Sequence, residues 1–335
     1  MPRISVVIPA FNAEKFLPET LESVLGQTFR DLEIIVVDDG STDGTLETAR
    51  GYSLRYPDRI RCVHQENRGV AAARNHGARE SRGDILAFLD ADDTWLPEKL
   101  AEQMAFWEAN PTCGLVYADA YAMSEDGRLG RTMMQLKHPR SGSIFPFLLG
   151  ENFVSIPTAL VKKEFYLKAG GFIEDRALMG TEDHHFWLKV ALHCPGGFLA
   201  KPLACYRFRQ GSLSSPKLKM WEKDLQVLER IALEFPAATA PYRKDFRAAR
   251  AHMRYGMAFF CYRENRFAEA RAHYRKALSA SPLYFQAWKG LAICALLPER
   301  VLIARNAGIP QDENNLLSAE GGLLRKSAPG KGEAP

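Results

Sequence analysis

Three carboxylates crowd into four positions at Asp90-Ala91-Asp92-Asp93, directly after the apolar run Ile85-Leu-Ala-Phe-Leu89. Acids at that spacing repel one another unless a cation binds among them, and carboxylate oxygens suit a hard divalent metal. The same residues also fit a helix start, with Asp92, Asp93 or Thr94 as cap and Pro97 in the first turn, and the two readings are compatible. A second acidic pair, Asp38-Asp39, follows the apolar run Leu32–Val37 and leads through Gly40-Ser-Thr-Asp43-Gly-Thr45 into a capped helix. A third, Glu182-Asp183, follows Thr181 at the head of an apolar-periodic segment, where acids complement the helix dipole. His184 and His185 come next. Adjacent helix positions point about a hundred degrees apart, so these two are poorly placed to share a metal and read as structural or acceptor-facing.

The elements that must position these groups are legible from hydrophobic period. Ile4-Ser-Val-Val-Ile-Pro9, Leu32–Val37, Ile60–Val63 and Ile85–Leu89 read as buried strands. Residues 13–27, the stretch ending near Tyr52, residues 70–79 and residues 97–109 read as the intervening helices. This alternation predicts an α/β fold, a mostly parallel sheet flanked by helices on both faces. Ligands of such sheets bind outside the carboxyl ends of the strands. Phe11, Asp39 and Asp90 each lie just past a strand and are expected to converge on one crevice. Farther along, 114–118, 158–161, 198–200 and 203–207 are expected as strands, and 163–169 and 181–192 as helices. The polar, turn-rich 121–140 is expected to be a mobile flap.

Composition narrows the class. A length of 335 residues allows two domains, and 46% hydrophobic with 25% charged content is ordinary for a soluble globular protein. Six cysteines with no Cys-x-x-Cys pair argue against a zinc site or a disulfide framework and fit a reducing compartment. The first apolar run is too short for a signal peptide, and nowhere do eighteen apolar residues run together. A cytoplasmic protein is expected, peripheral at the inner face of a membrane at most. A net charge of +4 makes no case for nucleic acid and would permit contact with an anionic lipid surface.

The order of the motifs carries a family resemblance. Ser5-Val-Val-Ile-Pro-Ala-Phe-Asn12, Val37-Asp-Asp-Gly-Ser-Thr-Asp43, Asn67-Arg-Gly69 with Ala72-Ala-Arg-Asn75, Phe88-Leu-Asp-Ala-Asp-Asp93 and Thr181-Glu-Asp183 together resemble the inverting family 2 glycosyltransferases of the Rossmann-like GT-A fold. The resemblance covers residues 1–216. It implies transfer of a sugar from a nucleotide diphosphate sugar, most simply a UDP-sugar, to a hydroxyl of a glycan, lipid-linked or other cell-surface acceptor.

Residue by residue, the resemblance implies that Phe11 stacks on the nucleotide base, that Asp39 accepts from its N–H, and that Pro9 and Asn12 shape the base pocket. An Asx-type turn is the structural alternative for Asp39. Arg74 matches a cation facing nucleotide or phosphate. Asp90 matches the contact to ribose and donor sugar, and Asp92 the ligand of Mg²⁺ or Mn²⁺ bridging the diphosphate. Asp93 is either a helix cap or a contact behind the metal ligand. Asp183 matches the catalytic base that takes the acceptor proton, and Glu182 the residue that positions acceptor or base. Residues 206–214 resemble the segment that closes the site. Many relatives carry histidine where this chain has Arg209, which argues against a metal-ligand role there; a guanidinium there would clamp the diphosphate.

The Q-x-x-R-W motif and membrane helices of processive members are absent, so transfer of a single sugar is expected. A nucleotidyltransferase on a similar sheet would need a glycine-rich, lysine-bearing loop, and Ala10–Phe16 offers Lys15 without glycine. An inactive nucleotide-sugar-binding scaffold is disfavoured by the intact Asp39, Asp90, Asp92 and Asp183.

From Leu218 helical periodicity takes over, and 217–304 is expected to be a smaller α-helical region. Ten arginines and lysines between Arg243 and Lys276 face three acids, read as a solvated helix face or as a binding patch for a protein partner. Residues 251–284 resemble one tetratricopeptide repeat, with Ala258, Phe267, Ala270, Tyr274, Ala277, Leu278 and Pro282 at matching offsets. One repeat cannot bury its own face, so it is expected to pack on the first domain or on the apolar 291–304 segment. That segment could instead lie on a membrane. Residues 305–335 have the composition of a disordered tail.

Overall fold

A computed structural model describes residues 2–208 and 217–307 of the chain. The first half alternates as its hydrophobic period requires: β1 (Ile4–Ala10), α1 (Leu17–Leu25), β2 (Leu32–Asp39), α2 (Thr45–Arg55), β3 (Ile60–Gln65), α3 (Val70–Glu80), β4 (Ile85–Phe88), the short β5 (Thr94–Trp95) and α4 (Lys99–Ala109). Every residue of β1 and β2 is buried, as expected of strands covered on both faces. Ile4, Val6 and Ile8 pack with Leu17, Leu21 and Val24 of α1 on one side. Val7, Ile35 and Val37 pack with Ala71, Ala73 and Ala78 of α3 on the other. The small residues of α3 let it lie close to the sheet. At Gly77 an added Cβ would stand 2.3 Å from a methyl of Val7.

The strands form one sheet in the order β3-β2-β1-β4-β8-β6-β9-β5, continued by β6 (Leu115–Met123), β7 (Leu129–Thr132), β8 (Leu160–Lys162) and β9 (Gly196–Arg207), with β7 paired to β6. The first four strands are parallel, as the alternation demands. The other half is mixed: β8 runs antiparallel to β4 and β6, and β5 antiparallel to β9. These pairings join strands distant in sequence, and hydrophobic period carries no sign of strand direction. The segment expected as a flap is largely a hairpin, with β6 running to Met123, a turn at Gly127 and the return strand β7. The two short strands expected at 198–200 and 203–207 are one strand, β9, whose register against β6 shifts around Asp119.

Three shorter or later helices complete this part: α5 (Phe145–Leu148), α6 (Lys163–Lys168) and α7 (Glu182–Ala191). The helical region follows as α8 (Lys217–Glu234), α9 (Pro236–Thr239), α10 (Arg243–Arg263), α11 (Phe267–Ala280), α12 (Phe285–Leu296) and α13 (Glu299–Ala307). Leu225, Leu228 and Ile231 of α8, with Phe246, Met253 and Met257 of α10, belong to the same core as Phe88, Phe186 and Trp187. From Ala258 onward α10 joins a separate core with Tyr274 and Leu278 of α11, Cys294 of α12 and Leu302 of α13. One continuous helix therefore enters both cores. The repeat-like pair α10–α11 packs on the sheet domain at one end and on 291–304 at the other. Among the described residues no helix is long and apolar enough to cross a membrane. Arg209 and, beyond Ala307, most of the 305–335 tail lie outside the described residues.

Candidate active site

The site follows from strand order. After β1 the chain moves outward to β2 and β3, then returns to lay β4 on the other side of β1, so the topology switches between β1 and β4. Parallel register aligns Val7 with Phe88 and Ala10 with Asp38, which brings the ends of all three strands to one edge. A cavity of about 560 Å³ opens there, lined by Pro9, Phe11, Asp39, Arg74, Asp90, Asp92, Glu182 and Asp183 among others. The ends of β1, β2 and β4 and the head of α7 thus meet, although the motifs they carry are far apart in sequence.

On one side stand the groups after β1 and β2. Phe11 is 50% exposed and lines the cavity. Asn12 is off the cavity wall and acts as a clip. In the left-handed region at φ 48°, its N–H donates to Ser41 Oγ (3.0 Å) and its Oδ1 accepts from the Thr42 N–H (2.9 Å). The loops after β1 and β2 are joined in this way. Asp39 is buried, and its carboxylate accepts from Gln65 Nε2 (2.7 Å), the Arg68 N–H (2.9 Å) and the Gly69 N–H (2.8 Å). These partners lie on β3 and the following loop, so Asp39 holds the crevice wall while facing the cavity. Gly69 makes its donation with φ at 94°, a conformation that favours glycine.

The Asp90–Asp93 turn is fixed from behind. The Asp93 N–H donates to the Asp90 carbonyl at 3.0 Å. Asp93 caps no helix, since α4 begins at Lys99; its buried carboxylate accepts from the Arg207 N–H at 2.8 Å. Burial, with Asp92 and Asp90 nearby, holds Asp93 well above the usual carboxylate range. Arg207, at the end of β9, donates from Nε to the Asp92 carbonyl (2.7 Å) and from NH2 to Glu19 (2.6 Å). Arg207 falls in the 206–214 stretch expected to close the site, but its own role appears only once β9 is laid beside this turn. Asp92 is left half-buried on the cavity wall.

The donor set fits a hard divalent cation. Asp90 and Asp92 offer oxygens only, and no group of three or more metal-ligating side chains exists among the described residues. One or two carboxylates completed by substrate phosphates is the usual arrangement for Mg²⁺ in nucleotide enzymes.

Arg74 lies on the cavity wall and is engaged with protein groups. It is 3% exposed, and its guanidinium points to protein carboxylates: NH2 to Asp90 Oδ1 (2.7 Å) and NH1 to Glu182 Oε1 (2.8 Å), stacked over Phe172. Burial works against its charge, but the two carboxylates outweigh it and raise its pKa above the ordinary guanidinium value. Arg74 bridges the strand-end acid to the head of α7.

Across the cavity, Asp183 is held on both oxygens. Asn152 Nδ2 donates to Oδ2 (3.1 Å), and the His184 N–H donates to Oδ1 (2.7 Å). Burial first, then the neighbouring Glu182, push its pKa up to about 6, against the opposing pull of Arg74 and His184. A carboxylate tuned toward neutrality, with an open cavity before it, can accept a proton from a bound hydroxyl. Glu182 is anchored by Arg74 and by the Gly180 N–H (2.5 Å). The two histidines take separate partners on α8: His184 beside Asp224 and His185 beside Glu234. Asn152 has no sequence signature; only the packing of the 137–152 segment against α7 identifies it.

Residues 5–168 match the family model described as glycosyl transferase family 2. EpsE of Bacillus subtilis (strain 168), described as a glycosyltransferase, is 32% identical over 192 residues, 56% of this chain and 66% of EpsE. TuaG of the same organism, described as a glycosyltransferase of teichuronic acid biosynthesis, is 31% identical over 244 residues, 71% of this chain and 92% of TuaG. Among solved structures, S. aureus TarS 1-349 in complex with UDP-GlcNAc superposes with a TM-score of 0.62 at 20% identity, covering 97% of this chain and 92% of that one. At that identity the likeness is one of fold.

Proposed function

The chain belongs to glycosyl transferase family 2, and from that membership we propose that it moves a single sugar from a UDP-sugar to an acceptor hydroxyl of a surface glycan or lipid-linked saccharide, with inversion. The observation that carries this reading is Asp183: a half-buried carboxylate, held on both oxygens and raised to about 6, on the same cavity as Asp39, Asp90 and Asp92. In this reading residues 1–216 are the transferase domain and 217–304 its helical companion.

Each residue then has a physical task. Phe11 offers its exposed face to the base, as aromatic rings stack in offset geometry. Asp39, fixed by three donors, keeps lone-pair capacity for the base N–H. Pro9 lines the pocket and Asn12 locks the two loops beneath it. Asp90 keeps one oxygen on Arg74 and turns the other toward ribose and sugar. Asp92 would hold Mg²⁺ or Mn²⁺, which would neutralise charge on the departing diphosphate. Asp183 takes the acceptor proton while Glu182, clamped by Arg74, fixes the acceptor side. Arg209 is assigned to the diphosphate by resemblance alone.

A thermal-shift series of nucleotide sugars with and without Mn²⁺ tests the reading. The cognate donor is expected to raise Tm in a metal-dependent way, by about 2.7 kcal/mol of stabilisation at a hundredfold excess over Kd. Asp92→Ala should abolish the metal dependence. If no nucleotide sugar raises Tm with metal present, the proposed donor site is wrong.

A further inference from the structure

The function above uses Asp183 but leaves its neighbour unexplained. His184 is 1% exposed, and both ring nitrogens meet acceptors: Nδ1 lies 2.8 Å from Asp224 Oδ1, and Nε2 lies 2.7 Å from the Leu148 carbonyl. A carbonyl cannot donate, and neither can an ionised carboxylate. A neutral imidazole carries one N–H and could satisfy only one of the two. The geometry is satisfied by the doubly protonated ring, with Asp224 as its counter-ion.

We propose that Asp224, on α8 in the helical region, is a positioning residue: through His184 it holds a fixed positive charge behind Asp183. This rests on the reading of Asp183 as the base. Asp224 lies outside the segment that matches the family model. The link gives the helical region a task in the reaction, independent of any partner. His184 follows Asp183 in the chain and donates its backbone N–H to it, and the charge on its ring favours the ionised form of that carboxylate.

The other charged groups facing Asp183 are accounted for. Glu182 on α7 disfavours its ionised form and Arg74 on α3 favours it. Lys137, half-buried, donates to the Asn152 carbonyl behind Asp183 Oδ2 and interacts with Glu151, Asp183 and Asp224, so it is a further cation on this side of the carboxylate that the Asp224 substitution leaves in place. Burial pushes the Asp183 carboxyl up, and without the ring charge it would rise further and stay protonated near neutrality, where it could take no proton. The carboxylate of Asp224 offsets the cost of burying the ring and raises the His184 pKa above the ordinary imidazole value.

The test uses the full chain with ¹⁵N-histidine and ¹³C-aspartate labels. His184 and Asp183 resonances are assigned from His184→Asn and Asp183→Asn, and pH titrations are followed by NMR. Neither signal depends on turnover or on knowing the acceptor. In the wild type His184 is expected to show both ring N–H groups at pH 7, with Asp183 titrating near 6. Asp224→Asn should release the second ring proton near neutrality and raise the Asp183 midpoint by about one unit. Asp224→Glu, which keeps the charge, should restore both. A neutral His184 in the wild type at pH 7 overturns the proposal without any variant, and so does an Asp183 midpoint unmoved by Asp224→Asn. Retained transfer by Asp183→Asn is a separate result, which removes the base assignment and leaves the charge placement standing.

Discussion

The two walls of the cavity are built differently. On the wall formed by the ends of β1 and β2, groups are set by short loops and backbone donors: Asn12 clips Ser41 and Thr42, and Asp39 collects N–H groups from Arg68 and Gly69. Phe11 stands half in solvent. On the wall formed by α7, Glu182 and His184 are buried, Asp183 is half-buried, and their partners come from across the fold: Arg74 from α3, Asn152 from an irregular segment and Asp224 from α8. A wall that must admit a flat, solvated base can be open and locally organised. A wall that must raise a carboxylate toward neutrality has to shield it from water on every side but the cavity, and that shielding comes from the core.

The comparison predicts that damage to the buried wall costs more than damage to the open one. The largest effect is expected for Asp183→Asn, with transfer reduced by about a thousandfold while donor binding is retained, since general-base groups contribute about 10²- to 10⁴-fold. Nucleotide diphosphate release and a donor titration on the same protein check both halves. The wild-type rate should rise with pH through about 6, because only the ionised carboxylate accepts a proton.

Arg74→Met comes next. It leaves Asp90 and Glu182 without their shared cation in a buried setting, and a loss of about 3 kcal/mol in urea unfolding is expected. A loss below about 1 kcal/mol would show that the bridge matters little.

Third, the same Asp183→Asn enzyme should be more stable than wild type. Burial raises the Asp183 pKa from 3.8 to about 6 in the folded chain, so the unfolded chain gives up its proton first. Stability from this group is complete below the unfolded value and is lost as pH rises toward the folded one. Asparagine carries no such penalty, and a gain on the order of 2 kcal/mol at pH 7 is expected, vanishing near pH 4. Chemical denaturation at the two pH values measures it.

The smallest effect belongs to the open wall. Phe11→Ala should weaken nucleotide binding by roughly 1 kcal/mol, about fivefold in Kd, with little change in stability at a half-exposed position. An effect as large as that of Arg74→Met would erase the contrast between the walls.

Much of this arrangement is legible from residues alone, for a physical reason. The four parallel strands and their helices are written in hydrophobic period, because each must bury a defined face. Phe11, Asp39 and Asp90 are readable because a parallel sheet presents its strand ends at one edge. The mixed half of the sheet was less readable: β9 reads as two short strands and 121–140 as a flap, since their pairing partners lie far away in sequence. Arg74 shows the limit most clearly. Its motif places it at the site, while its actual direction depends on carboxylates 16 and 108 positions away.

The sequence by itself determined that Phe11, Asp39, Asp90 and the Glu182-Asp183 pair reach one crevice, because strand ends and helix heads are local features of the chain. Tertiary structure alone decided their working states. Whether Arg74 is free or bridged, whether Asp183 titrates near 4 or near 6, and whether His184 carries one proton or two depend on burial and on the nearest charge. Those quantities are set by groups brought together through space, and no stretch of sequence contains them.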